Sequence, residues 1–274
     1  MRGRMTDNSY APVSVVIPCC RCSTTIDLAV GSIAKQSTMP AEVILVDDAS
    51  GDGTLSILQR LAQLHPEWIK LVSLDKNLGA ASARNAGWDA ASQPYIAFLD
   101  ADDAWHPEKL RIQYEYMCDN SDVVLSGHQC VWLREGEAWP ALPASLVVTR
   151  LRPLSLIFKS CFSTPTVMLK REIPFRFPAG RNYSEDLNLW QQIAFAGLSV
   201  VRRESPLACF YKAPYGEGGL SSHLWEMEKG ELRNIVELHR AGKIHWLLYV
   251  VATAFSLAKY LKRLLRVRVG RVAE

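Results

Sequence analysis

The chain has 274 residues, of which 49% are hydrophobic and 22% charged; that is enough for a full core in one large domain or two small ones, and it excludes disordered and fibrous classes. The formal charge of +3 is unevenly placed: from Lys259 onward six basic residues stand against Glu274, which leaves the first 258 residues at −2. A near-neutral body with a basic tail makes the tail the partner-seeking part, and no nucleic acid is expected among the partners.

Met1 to Ala11 is polar and carries no apolar h-region, so no leader is expected, and the odd count of seven cysteines fits a reducing compartment better than a disulfide framework. Val13-Ser14-Val15-Val16-Ile17, a β-branched run closed by Pro18, predicts a buried strand. A helix is expected from Thr25 to Ala34. Val43-Ile44-Leu45-Val46 predicts a second strand, ended by Asp47-Asp48 and the turn-rich Ala49-Ser50-Gly51-Asp52-Gly53. Thr54 to Leu64 then has helical spacing through Leu55, Leu58, Leu61 and Leu64. The unit recurs, with strands at Ile69 to Leu74 and Tyr95 to Leu99 and helices at Ala80 to Ala91 and Pro107 to Cys118. Beyond residue 123 the pattern loosens into short strands (Val123 to Gln129, Val147 to Arg150, Thr166 to Lys170) and a helix near Glu185 to Ala196.

Strands alternating with helices predict an α/β fold: a doubly wound, mostly parallel sheet with helices on both faces, followed by carboxyl-terminal helices. No linker divides the chain. Residues 1–11 read as a tail and 12–241 as one domain, whose half 12–122 holds a ligand and whose half 123–241 covers the ligand edge. Residues 244–274 read as a basic amphipathic helix. Ligands on such sheets bind beyond the carboxyl ends of the strands, where Pro18-Cys19-Cys20, Asp47-Asp48 and Asp100-Ala101-Asp102 all fall. Asp100, Asp102 and Asp103 place three carboxylates in four positions, a density that fits Mg²⁺ or Mn²⁺ with substrate phosphates. Helix capping by Asp103, ahead of Pro107, explains one carboxylate of the three. Cys19, Cys20 and Cys22 have no second Cys or His pair at zinc-ligand spacing and are expected to pack as small apolar groups.

Val13 to Pro18, then Val46-Asp47-Asp48-Ala49-Ser50-Gly51-Asp52-Gly53-Thr54, then Asn77-Leu78-Gly79 with Ala83-Arg84-Asn85-Ala86-Gly87, then Phe98 to Asp103, then Glu185-Asp186 resemble, in order, the family 2 glycosyltransferases, inverting enzymes of the GT-A fold. The resemblance implies a donor site for a nucleotide diphosphate-sugar, with Pro18 in it, Asp48 on the base, Asp100 on the ribose and Asp102 on a cation bridging the phosphates. Arg84 would add a second positive group near the phosphates. Asp186, beside Glu185, would be the base that takes the acceptor's proton. The residues alone also admit a turn-forming Asp48, an Arg84 on a solvated helix face, and Ser184-Glu185-Asp186 as an ordinary helix start. A helix amino terminus lowers a carboxylate's pKa, so Asp186 as a base needs burial or Glu185 to raise it. Where the family usually carries an aromatic or Asn, this chain has Cys20-Arg21-Cys22, which leaves the donor base open.

The Gly-rich stretch Tyr215 to His223 could close over donor phosphates, with Ser221 and His223 as added contacts, or be a loop and helix cap. Trp246 to Ala258 has no charge over 13 residues, too short to span a bilayer. Continued as a helix, Lys259, Lys262, Arg263 and Arg266 share one face and Leu257, Leu261, Leu264 and Leu265 the other, which predicts an interfacial helix on anionic lipid. The expected activity is therefore metal-dependent sugar transfer to a saccharide or lipid-linked saccharide at the inner face of the cell membrane. A nucleotidyltransferase and a non-catalytic protein of the same fold are the rival expectations.

Overall fold

The apolar runs of the first half form the strands they predict. The computed structural model describes residues 10–134, 136–143, 147–211 and 223–270. In it β1 (Tyr10–Cys19), β2 (Met39–Asp47), β3 (Ile69–Ser73) and β4 (Tyr95–Phe98) alternate with α1 (Ile26–Ala34), α2 (Thr54–Leu64) and α3 (Ala80–Ala90). These strands pair in parallel in the order β3-β2-β1-β4. Val15, Val16, Ile17 and Val43 to Val46 are fully buried, because helices cover both faces of a parallel sheet. β1 begins at Tyr10, paired with Met39, so the polar tail ends earlier than expected. Pro18 stays inside β1 opposite Val46. Val16 accepts from the Leu99 amide, so Pro18, two residues on, faces the same side, where β4 has ended and no ladder bond is lost.

The second half extends the same sheet. It comprises β5 (Asp103–Trp105), α4 (Lys109–Asp119), β6 (Val123–Trp132), β7 (Val148–Arg150), α5 (Ser155–Phe158), a 3₁₀ turn at Thr164–Thr166, β8 (Met168–Lys170), α6 (Glu185–Phe195), β9 (Ser199–Phe210), α7 (Leu224–Arg240) and α8 (Trp246–Gly270). The order continues β4-β8-β6-β9-β5, with β7 beside β9. β8 is antiparallel to β4 and β6, whereas β6 and β9 run in parallel. β4 and β5 flank Asp100-Ala101-Asp102 yet stand apart in the sheet, so the carboxylate turn runs across the strand ends. Asp103 does not cap a helix: it is buried, opens β5 opposite Phe210, and α4 starts only at Lys109 behind Glu108.

α8 packs on α7. Arg263 donates to Glu228 and Glu231 at 2.9 and 3.0 Å, Lys259 to Glu231 at 2.8 Å, and Ser256 to the fully buried Glu228 at 2.7 Å. Two of the bases expected to seek lipid are thus paired within the protein. Among the described residues no helix is long and apolar enough to cross a membrane.

Candidate active site

The ends of β1 and β2 lie side by side, with Cys19 opposite Asp47. Asp48 follows, buried, its two carboxylate oxygens accepting the Leu78 and Gly79 amides at 2.7 and 2.9 Å. Asn77 Nδ2 donates to the Asp48 carbonyl at 2.9 Å and to Cys20 Sγ at 3.3 Å. Asp48 therefore clamps the loop that enters α3, about thirty residues on in the chain, instead of serving only its own turn ahead of Gly51 and Gly53. Gly79 in that loop has φ 85°, and a Cβ there would collide with Asn182 Oδ1. Pro18 sits beside this clamp, part-exposed. Cys19 and Cys22 are buried as expected of packing thiols, and Cys20 is exposed.

Arg84, one turn into α3, is not on a solvated face. It is 5% exposed, and its guanidinium joins Asp100 at the end of β4 to Glu185 at the start of α6, each at 2.8 Å. Its floor is aromatic: Phe177 lies 5.5 Å beneath it, in contact with Trp88, Phe98 and Trp190. Asn85, next in the motif, holds Phe177 in place by donating to its carbonyl and accepting from its amide at 2.8 and 3.1 Å. Burial works against the charge on Arg84, but Asp100 and Glu185 outweigh it and raise the guanidinium's pKa. Burial likewise raises the pKa of Asp100, against the pull of Arg84.

Asp186 is half-buried in the first turn of α6. Its Oδ1 accepts the Leu187 amide at 2.6 Å and its Oδ2 the Thr164 hydroxyl at 3.3 Å. Burial, then the charge of Glu185, lift its pKa to about 6, although Arg84 and the Leu187 amide pull it down. Glu185 and Asp186 stand in the first turn as at an ordinary helix start, but the cap is not an ordinary one. Ser184 occupies the N-cap position with a left-handed backbone, φ 55°, and turns its hydroxyl to the Met227 carbonyl of α7 instead of capping. The other non-glycine residues of positive φ among those described are Arg21 and Ala49, at the turns after β1 and β2. Backbone strain among the described residues thus gathers around one crevice, as it does at functional sites.

Asp102 lies part-exposed on the turn between β4 and β5. Among the described residues no three His, Cys, Asp or Glu side chains stand together to hold a metal. Asp100 is paired with Arg84; a cation at this turn could be held by the Asp102 carboxylate, with phosphate oxygens and water in its other positions. That donor set suits Mg²⁺ or Mn²⁺, which bind through one or two carboxylates plus substrate phosphates. His223 is exposed ahead of α7, its ring edge-on to Tyr183 at 6.1 Å, close in sequence to the Asp186 turn. Ser221 lies outside the described residues.

The bridge of Arg84 to Asp100 and Glu185 and the Thr164 contact to Asp186 were not foreseen. Arg84 and Glu185 are 101 positions apart, beyond the reach of any spacing rule. Residues 14–188 match Glycosyl transferase family 2. The chain is 43% identical over 235 residues, 83% of its length and 89% of the relative's, to TuaG of Bacillus subtilis (strain 168), a glycosyltransferase assigned to teichuronic acid biosynthesis. It is 30% identical over 184 residues, 66% of its length and 69% of the relative's, to the UDP-Glc:alpha-D-GlcNAc-diphosphoundecaprenol beta-1,3-glucosyltransferase WfgD of Escherichia coli. Its fold resembles that of the mannosyltransferase PcManGT from Pyrobaculum calidifontis in complex with GDP-Man and Mn²⁺, with a TM-score of 0.65 at 20% identity over 90% of this chain and 73% of that one.

Proposed function

Since the chain belongs to glycosyl transferase family 2 and is a glycosyltransferase of GT-A type, we propose that it moves a hexose or related sugar, with inversion, from a nucleotide diphosphate-sugar to an acceptor hydroxyl. The acceptor is a saccharide or lipid-linked saccharide, and the setting is polysaccharide or lipid-linked oligosaccharide synthesis at the cytoplasmic face of the cell membrane. The names of TuaG and WfgD support that setting. The rival nucleotidyltransferase would need a glycine-rich loop after β1, and Pro18 to Thr24 contains no glycine.

The observation that carries the reading is the reach of Arg84, which binds the strand-end Asp100 and the helix-start Glu185 and so brings Asp186 to the carboxylate turn. Residues 12–122 hold the donor, with Pro18 and the Asp48 clamp shaping its nucleotide end, and residues 123–241 form the acceptor side. The bond from the anomeric carbon to the diphosphate oxygen breaks and its electron pair leaves on the diphosphate. The acceptor oxygen forms the new bond on the opposite face while its proton passes to Asp186. A carboxyl group with a pKa of about 6 is mostly ionised at neutral pH yet still basic enough for this work. A bound Mg²⁺ or Mn²⁺, held by Asp102, supplies charge neutralisation to the departing diphosphate.

Donor binding by calorimetry with Mn²⁺, beside a transfer assay, separates the roles. Asp102→Asn should lose Mn²⁺-dependent donor binding. Asp186→Asn should bind donor like the parent while transfer falls by about 10³-fold; full transfer in that variant would show the base to be another group.

A further inference from the structure

α8 turns outward the face that a helix in water would bury. Its inward arc carries Ala252, Ser256 and Arg263, seated on α7. On the opposite side Trp246, Leu247, Val250, Leu257, Leu261 and Leu265 are 68%, 51%, 51%, 39%, 59% and 63% exposed. At the helical repeat these six fall within an arc of about 100° and run for roughly 30 Å along the axis. Exposed apolar surface that continuous marks an interaction site. The edges of the stripe are amphipathic. Lys262 is exposed on one side; on the other Trp225 of α7, 48% exposed, packs on Tyr260 at 5.5 Å, with Lys229 5.8 Å over its ring and paired with Glu226 at 2.7 Å.

We infer that α8 lies in the plane of a lipid bilayer surface with this stripe sunk to the boundary of headgroups and acyl chains. α8 contains no Asp or Glu, and Arg271 follows it. Two copies meeting stripe to stripe would therefore set the exposed Lys262 edge against a face with no carboxylate of α8 to answer it, whereas lipid headgroups do answer it. Trp and Tyr at the edge of an apolar face favour a membrane interface for the same reason, one end dry and one end wet. The inference rests on the membrane-surface reading above and specifies its cause. Glu228 and Glu231 already hold Arg263 and Lys259, so apolar insertion, more than attraction to anionic headgroups, keeps the protein on the membrane. The contact reaches the site mechanically. Gly230 of α7 packs so closely on the turn before Asp186 that an added Cβ would lie 2.6 Å from the Tyr183 carbonyl oxygen. A submerged α8 thus sets the height of Asp186 above the lipid.

Flotation of the full chain with pure phosphatidylcholine vesicles, and with vesicles that also contain phosphatidylglycerol, tests this at low and high salt. Binding to both is expected, with phosphatidylglycerol adding no more than about tenfold and salt removing that increment alone. The double variant Val250→Asp with Leu261→Asp should keep the parent's circular dichroism and its vesicle-free hydrolysis of UDP-glucose or GDP-mannose with Mn²⁺, while flotation on both vesicles falls by more than about tenfold. Binding confined to phosphatidylglycerol and abolished by salt would keep the membrane-surface reading and overturn insertion. Flotation unchanged in the double variant would overturn it too. So would absence of flotation on either vesicle, and a dimer by light scattering that the double variant dissociates would then assign the stripe to a second copy. Loss of donor hydrolysis in the parent chain would count against the transferase reading and leave the lipid result standing.

Discussion

Asp186 carries opposing influences, and their balance makes its pH dependence a sharp test. Burial and Glu185 favour its protonated form, while the Leu187 amide and Arg84 favour its ionised form, and the balance rests at about 6. In the proposed transfer the acceptor's proton goes to an ionised Asp186, so kcat/KM should climb with pH through a single ionisation near 6 and level off above 7. Glu185→Gln removes a neighbouring negative charge and should carry that midpoint to lower pH; a limb that stays in place in the variant would exclude Asp186 as the titrating group. The linkage to stability has the opposite sign. The folded chain binds this proton more tightly than the unfolded chain, whose Asp titrates near 3.8. Asp186 therefore adds stability as pH falls from about 6 towards 4 and withdraws it as pH rises through that window. The form that the proposed catalysis uses is the form the fold tolerates less.

At the level of elements, the parallel half was legible and the other half much less so, for a physical reason. β1, β2 and β4 are buried on both faces, so their sequences are mostly apolar runs bounded by turns, interrupted in β1 and β2 by the buried pair of Ser14 and Glu42. β9 is as long as any of them but its register against β6 shifts at Gly127/Gln129 and again at Gln129/Cys130, and it contains Pro206 and a buried Arg203. Bulges break the two-residue alternation from which a strand is read. β5 is three residues directly behind the carboxylates, where a helix cap is the simpler reading. Of the site, the motif around Arg84 was recognisable, but the bridge it makes was not. Two glycines test how the elements are held together. In a helix Gly→Ala ordinarily gains up to about 1 kcal/mol. Gly31→Ala in α1, with nothing within 4 Å of the new Cβ, should show that gain. Gly230→Ala in α7 meets the Tyr183 carbonyl, a backbone atom that cannot swing aside, and should instead cost about 1–3 kcal/mol and depress transfer by displacing the Ser184-Glu185-Asp186 turn. Urea denaturation of the two variants, side by side, reads both signs; equal gains would show that α7 is free to move off α6.

For the molecule as a whole, the sheet joins the two halves and the carboxylates meet only where segments from both converge, so cation, donor and fold should be linked. Among the described residues no preformed trio holds a metal, and under the proposed assignment Asp102 would need phosphate oxygens to complete an octahedral shell. Mn²⁺ alone should then leave the melting temperature of the chain in place. UDP or GDP alone should raise it slightly, and one of them with Mn²⁺ by more than the two separate shifts combined, since each ligand improves the site for the other. At a hundredfold excess over Kd the gain is about 2.7 kcal/mol, a rise of roughly 5–10 °C for a unit in which 1 kcal/mol moves the midpoint by about 2–4 °C. Asp102→Asn should keep the shift with nucleotide alone and lose the increment from Mn²⁺. A full shift with Mn²⁺ and no nucleotide would mean that the cation has a site of its own, independent of the donor, and the assignment of Asp102 as a ligand shared with the diphosphate would fall.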